Sequence, residues 1–173
     1  HETILSGDLN KAAFENDDSY HVIYNLNVGE TAVLDGVTIT GGYAITQGYG
    51  GGIYNENSSP VFRNIKVTNN WAQSGGAGMY NKNSHPVLED VIFDENLVIV
   101  GNGGGMYNMD SSPSLTRVIF TKNTVVKGNG GGMYNNKSSP NLNDVTFSAN
   151  TADYGGGMHN LNSNPTLKQV SIR

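Results

Sequence analysis

Carboxylates are the residues of this chain that could most readily support catalysis, because it has no cysteine and its histidines share no spacing. A glycosidase needs two facing carboxylates, and a polysaccharide lyase needs clustered carboxylates for a cation together with a free Arg or Lys as base. Asp90 and Asp144 are one such pair, but Arg117 falls between them when the repeats are aligned. Arg63 likewise falls beside Glu89. The sequence therefore predicts ion pairs between neighbouring repeats and no catalytic group.

A cation site is the second chemistry that the acidic residues suggest. Asp8, Asp17 and Asp18 lie in an acidic, Asn-containing segment, and calcium accepts oxygen ligands of both kinds. The repeated calcium-binding phrase G-G-x-G-x-D is absent, because no Asp follows the glycine runs at the needed offset. We interpret this segment as a solvated loop between two strands. Its three aspartates are weak candidate calcium ligands, and no other cofactor is expected.

The elements that must position these residues repeat along the chain. The phrase G-G-G-M-Y-N-x-x-S-S-P, or a close variant, recurs at spacings of 26, 27, 27 and 25 residues. Its copies are centred on Ile53, Met79, Met106, Met133 and Met158. A unit of this length cannot bury its apolar face alone and must stack on copies of itself.

Like residues fall into columns when the units are aligned, which predicts an all-β parallel β-helix. Within each unit, a triplet such as Val145-Thr146-Phe147 alternates with the strand period of two. We expect about six rungs of 25–28 residues, each with three short strands, over residues 34–173. Residues 1–33 are expected to be an irregular lead-in of strands and an acidic loop in the same domain. The length variation falls between the closing Asn and the next Met, and this segment is expected to be a loop.

Two polar columns accompany the apolar ones. The first holds Asn55, Asn81, Asn108, Asn135 and Asn160, and the second holds Asn70, Asn96, Asn123 and Asn150. A stacked Asn can hydrogen-bond to the rungs above and below it, so we interpret both columns as structural ladders. Ligand binding by either column is the alternative.

Two apolar features are candidates for binding a partner. Tyr54, Tyr80, Tyr107 and Tyr134 alternate with inward-facing Met residues, so their rings are expected to point outward. Such rings could stack on a sugar or a protein or, alternatively, on one another. The variable segments carry a second set, Trp71, Val98, Ile99 and Val125, with no obvious core column. This second set predicts either an exposed interface or packing beneath the loop.

The two phrases of the repeat resemble the repeats of polymorphic outer membrane proteins, which are bacterial surface proteins. Those repeats carry a G-G-[Ala]-[Ile] phrase followed by F-x-x-N. Here the phrases stand as Gly103-Gly104-Gly105-Met106 and Phe120-Thr121-Lys122-Asn123, with Met in place of the usual Ile. The resemblance implies a right-handed parallel β-helix, export to the cell surface or the medium, and an adhesive or structural role.

The net charge and the two ends of the chain indicate which binding partners to expect. A net charge of −5 argues against nucleic acid and anionic membranes, and no apolar run approaches a transmembrane helix. The chain starts in a strand and stops within a rung, so we expect a longer parent chain or copies that associate end to end into filaments. The predicted function is that of a non-enzymatic, extracellular structural or adhesive repeat protein, with a glycan or a host or cell-surface protein as candidate partner. The alternative is a carbohydrate-binding or polysaccharide-cleaving β-helix.

Overall fold

The computed structural model describes residues 2–9, 18–46 and 48–173. Within these ranges the chain forms strands and turns and contains no helix. The strands are β1 (Thr3–Ser6), β2 (Ile23–Leu26), β3 (Val33–Asp35), β4 (Val37–Thr40), β5 (Tyr43–Ala44), β6 (Ile53–Glu56), β7 (Val61–Arg63), β8 (Lys66–Thr68), β9 (Trp71–Ala72), β10 (Met79–Lys82), β11 (Val87–Glu89), β12 (Ile92–Asp94), β13 (Leu97–Asn102), β14 (Met106–Met109), β15 (Ser114–Thr121), β16 (Thr124–Asn129), β17 (Met133–Asn136), β18 (Asn141–Ser148), β19 (Met158–Leu161) and β20 (Thr166–Ile172).

All strand pairs are parallel and join neighbouring rungs, which confirms the parallel β-helix. A six-stranded sheet, which we call the ladder sheet, contains β2, β6, β10, β14, β17 and β19, so the coil has about six rungs. The ten-stranded sheet, which we call the bent sheet, has two arms. Its first arm holds β3, β7 and β11, and its second arm holds β1, β4, β8 and β12. The long strands β15, β18 and β20 run through both arms.

A third, small sheet corrects the expectation that the variable segment is a loop. It contains β5, β9, β13 and β16, so a rung has up to four strand segments rather than three. Two of these strands have only two residues, which is too short for the alternation of a strand to show in the sequence. Beneath this sheet lies a second, small core of Ala44, Ala72, Ala77, Val98 and Val125.

The register of the sheets matches the predicted repeat. Met79 pairs with Ile53 on one side and with Met106 on the other. The lead-in strands extend the same sheets, because β1 pairs with β4 and β2 pairs with β6. The first rung is longer than the others, since Ile23 pairs with Ile53, 30 residues further along the chain.

Each rung turns through left-handed corners. In the rung that begins at Met79, the corners are Asn83 (φ 49°), Asp90 (φ 56°), Glu95 (φ 54°) and Gly103 (φ 68°). This backbone region costs a residue other than glycine roughly 1–2 kcal/mol, and Asn and Asp tolerate it best. The corners therefore explain part of the Asn and Gly content, since six asparagines and ten glycines have positive φ.

The main core fills the space between the ladder sheet and the bent sheet. Phe93, Phe120 and Phe147 are fully buried, and their rings stack with centroids 4.8 and 4.9 Å apart. A Cβ on Gly105 would lie 2.8 Å from Phe120 and 2.7 Å from the carbonyl oxygen of Gly132. Glycine is therefore required there by the close approach of successive rungs.

Candidate functional site

The first Asn column forms one continuous amide ladder through the ladder sheet. The Nδ2 of each Asn donates to the Oδ1 of the Asn on the next rung, at distances of 2.8–2.9 Å. The ladder also includes Asn25, which donates to Asn55 at 2.8 Å. The sequence alignment missed Asn25 because the first rung has a different length. The side chains of Asn55, Asn81, Asn108 and Asn135 are fully buried, so a ligand has no access to them.

The second Asn column is bonded more densely. Oδ1 of Asn96 accepts hydrogen bonds from both Nδ2 and the backbone N–H of Asn70, at 3.0 and 3.2 Å. Nδ2 of Asn96 also donates to the Val67 carbonyl at 2.9 Å, and the same pattern continues through Asn123 to Asn150. These contacts close the corner between the bent sheet and the small sheet.

A serine ladder that the sequence did not reveal runs beside the ladder sheet. It consists of Ser58, Ser84, Ser111, Ser138 and Ser163. Each hydroxyl donates to the carbonyl two residues earlier and accepts a backbone N–H from the preceding rung, that of Val28 for Ser58 and that of the preceding serine for the others. For Ser84 these distances are 2.8 and 3.0 Å. The repeated S-S-P phrase is the signal that could have identified it.

The tyrosine column lies outside the main core but is covered. Tyr80, Tyr107 and Tyr134 are only 3%, 5% and 6% exposed. Successive rings from Tyr54 to Tyr134 have centroids 4.9–5.3 Å apart in tilted or edge-to-face arrangements, so they pack on one another. Burial is the main cause that raises the pKa of all four tyrosines. The column therefore does not present an open row of rings to a ligand.

The exposed end of this column is formed by other residues. Tyr24 continues the column and is 50% exposed, with its hydroxyl 3.2 Å from Glu56. The ring of His21 packs 5.1 Å from that of Tyr54, and its Nδ1 donates to the Gly50 carbonyl at 2.8 Å. Burial lowers the pKa of His21, so its imidazole acts here as a neutral packing group.

Charged side chains pair between rungs at the corner of the bent sheet. Arg117 makes two hydrogen bonds of 2.7 Å to Asp90, and the bonded guanidinium lowers the pKa of that carboxyl. Arg63 and Glu89 lie 2.9 Å apart. The charge of Asp90 is therefore compensated by that of Arg117. This corner offers no free pair of carboxylates of the kind that glycoside hydrolysis requires.

Two further ion pairs join neighbouring rungs elsewhere on the coil. Lys82 lies 2.8 Å from Glu56, and Lys122 lies 2.9 Å from Glu95. A pair that the sequence did not predict joins Lys66 to Asp94 at 3.0 Å.

The candidate calcium ligands are only partly covered by the structure. Asp17 lies outside the described residues. Asp18 is 7% exposed, and its Oδ1 accepts the backbone N–H of Leu9 at 3.4 Å. Asp8 lies beyond the end of β1, where its backbone N–H donates to Ser6. The described residues contain no group of three or more side chains that could hold a metal ion, and calcium binding stays a prediction.

The apolar residues of the variable segments do not share one surface. Val98 and Val125 are buried beneath the small sheet and cannot contribute to an interface. Ile99 and Trp71 are half-buried, and the Trp71 ring packs 6.1 Å from Tyr43. The alternative expectation, packing beneath the segment, therefore describes half of this set.

The two end faces of the coil both expose apolar residues. At the N-terminal face, Leu26 is 50% and Val33 is 52% exposed, beside an apolar cavity of about 160 Å³. At the C-terminal face, Leu161, Leu167 and Ile172 are 43%, 50% and 57% exposed. Within the described ranges, no strand pairs with the outer edges of β2, β3, β19 or β20.

Comparison with known proteins identifies the fold family. A family model described as a right-handed beta helix region matches residues 6–172. No curated protein and no solved structure matches the chain. The described residues include no helix that is long and apolar enough to cross a membrane.

Proposed function

The chain belongs to the right-handed β-helix family, and we propose that it is a non-enzymatic structural repeat protein whose copies associate end to end. The observation that carries this proposal is the pair of exposed end faces. Leu167 is 50% exposed, whereas Leu88, Leu115 and Leu142 in the same column are fully buried. A further rung, from a second copy or from a longer parent chain, would bury Leu167 in the same way, and it would pair the strand edges that have no partner within the described residues.

The amide ladder gives this association a direction. Each Asn donates towards the C-terminal face, so Asn160 presents an unused donor there and Asn25 presents an acceptor at the opposite face. The strands of an added copy would also run parallel to the strands that they join, as all strand pairs within the coil do. Contact between unlike end faces is therefore favoured over contact between like ones, and repeated unlike contacts that do not close produce a filament.

The cell surface or the medium is the proposed location. The resemblance of the G-G-G-M and F-x-x-N phrases to polymorphic outer membrane protein repeats supports it. In this setting the side faces, where paired charges alternate, would contact a glycan or a cell-surface protein and give the assembly its adhesive role. A bacterial source is part of the same proposal.

Sedimentation velocity over a wide concentration range tests the association. Leu167→Asp places a charge on the C-terminal face, and Val126→Asp places one on the side of the coil, where Val126 is 53% exposed. We expect the unmodified chain and Val126→Asp to form a concentration-dependent series of oligomers, while Leu167→Asp stays monomeric. Monomers at every concentration, or equal loss in both variants, would overturn the proposal.

A further inference from the structure

Tyrosine hydroxyls of the ladder sheet bond to one outward column on the next rung. The hydroxyl of Tyr24 donates to Glu56 at 3.2 Å, and the side chain of Asn136 hydrogen-bonds to the hydroxyl of Tyr107. Glu56 and Asn136 belong to the same column, which also contains Met109. In both cases the partner lies two residues beyond the neighbour of the tyrosine on the next rung. A tyrosine on the preceding rung is therefore expected to reach Met109.

Tyr80 makes this bond to the sulfur atom of Met109. Its hydroxyl donates to Sδ of Met109 at 3.3 Å, and the Met109 side chain packs against the cluster of tyrosine rings. Sulfur is a weak acceptor, but it is the only hydrogen-bond partner of this hydroxyl within the described residues. Because Tyr80 is only 3% exposed, little water competes for the hydroxyl. The hydroxyl is therefore held against one side of the sulfur.

Met109 differs from the other methionines in its surroundings. Met79, Met106 and Met133 are fully buried in the main core. Met158 continues their inward column on the last rung, where it is half-buried. Met109 is also half-buried, but it lies in an outward column of the ladder sheet. Of the five methionines, it is the one whose thioether lies on the outer surface of the coil.

A thioether on the outer surface can react with a peroxide, whereas one in the core is shielded. We propose that Met109 is a methionine oxidation site and that the Tyr80 hydroxyl directs the oxidant to one face of its sulfur. In this step a sulfur lone pair attacks one oxygen of hydrogen peroxide, the S–O bond forms and the O–O bond breaks. The proton on the transferred oxygen passes to the departing hydroxide, so the sulfur loses two electrons and the peroxide becomes water. The inference is independent of end-to-end association.

The hydrogen bond from Tyr80 makes the two lone pairs of the sulfur unequal. Oxidation at one lone pair or at the other gives opposite configurations, because a methionine sulfoxide is chiral at sulfur. The Tyr80 hydroxyl occupies one lone pair from the buried side of Met109, and the second lone pair points away from it. A peroxide can reach the first only after the hydrogen bond breaks and a buried ring moves. One sulfoxide epimer is therefore expected in excess.

The sulfoxide at Met109 is compatible with the folded coil. Its oxygen would lie on the side away from Tyr80, in a column where Lys82 and Asn136 are the neighbours on either rung. These polar side chains and water can solvate it. The same oxygen on Met106 would be buried without a partner in the apolar core, which costs free energy. Oxidation of Met109 should therefore leave the chain folded.

Limited oxidation of the folded chain with dilute hydrogen peroxide tests the site. Proteolysis followed by mass spectrometry measures the sulfoxide at each methionine separately. We expect Met109 to be oxidised at least about tenfold faster than Met79, Met106 and Met133, because these core residues react only when the coil opens locally. Far-UV circular dichroism should be unchanged at full oxidation of Met109. Equal rates at Met109 and at the core methionines would overturn the proposal.

The two stereochemical classes of methionine sulfoxide reductase test the direction of attack. Each class reduces one epimer, so peptides from the oxidised chain are treated with either class after proteolysis. We expect one class to repair the Met109 sulfoxide about fivefold more than the other, the factor given by a hydrogen bond of ordinary net strength. The chain oxidised in urea, where this bond is lost, should give nearly equal repair by both classes.

Two matched variants separate the hydroxyl from its surroundings. Tyr80→Phe keeps the ring but removes the hydroxyl, so it should speed the oxidation of Met109 and bring the two epimers close to equal amounts. Tyr107→Phe removes a hydroxyl from the same column that bonds to Asn136 instead, and it should keep the excess of the unmodified chain. Equal epimers in the folded unmodified chain, or the same excess in Tyr80→Phe, would show that Tyr80 does not direct the oxidant.

Discussion

Replacing Asn108 with alanine tests whether the amide ladder stabilises the coil. Asn108 is fully buried, accepts a hydrogen bond of 2.8 Å from Asn81 and donates one of 2.9 Å to Asn135. Its removal leaves a donor on one side and an acceptor on the other without a partner. An unsatisfied buried group costs about 1–3 kcal/mol, so the expected loss in the free energy of unfolding is about 2–6 kcal/mol.

Asn160→Ala is the matched control at the end of the same ladder. Asn160 is exposed and accepts a single hydrogen bond, from Asn135 at 2.8 Å. Water can replace this partner, so the expected loss is about 1 kcal/mol or less. Urea unfolding followed by far-UV circular dichroism measures both variants, and equal m-values show that they expose the same surface. The reasoning is refuted if Asn108→Ala unfolds within 1 kcal/mol of the unmodified chain, or if both variants lose the same amount.

Three further predictions concern the corners, the ion pairs and the tyrosines. Ala149→Gly should raise the free energy of unfolding by about 0.5–1 kcal/mol, because Ala149 has a φ of 53°. Ala152→Gly is the control and should lower the free energy of unfolding. Chemical denaturation measures both variants, and changes of the same sign would contradict the prediction. Arg117→Ala should change stability by less than about 1 kcal/mol, since the side chains of Arg117 and Asp90 are 51% and 44% exposed; a larger loss would show that the corner depends on this pair. Burial raises the pKa of Tyr80, so its contribution to the free energy of unfolding should be constant below about pH 10, where the unfolded chain also keeps its phenol protonated, and should fall as the pH rises above it. Tyr80→Phe should lessen that fall, and an identical alkaline profile for the variant would exclude Tyr80 as its source.

The sequence predicted the architecture well because its apolar columns repeat in register. The columns of Leu88 and Phe93 recur at nearly constant spacing, and both residues are fully buried. Stacked Asn side chains were predicted for the same reason. Columns that depend only on spacing can be predicted from a single sequence, since each rung repeats the environment of the rung before it.

The failures occurred where the environment of a residue depends on parts of the rung that do not repeat evenly. Alternation correctly placed Tyr80 and Tyr107 outside the core, but it could not show how much solvent they meet. The ring of Tyr80 is covered by that of Tyr49, which stacks on it with centroids 4.6 Å apart and belongs to no repeated column. The small sheet was missed because its first two strands are too short to show a pattern.

Electron microscopy of the 173-residue chain tests the central claim, end-to-end association, most directly. With about six rungs spaced by roughly 4.8 Å, each copy would add about 29 Å to the length of an assembly. The account predicts unbranched polar filaments with that axial repeat, in which all copies point the same way. Single particles at every concentration, or pairs joined through their side faces, would contradict it.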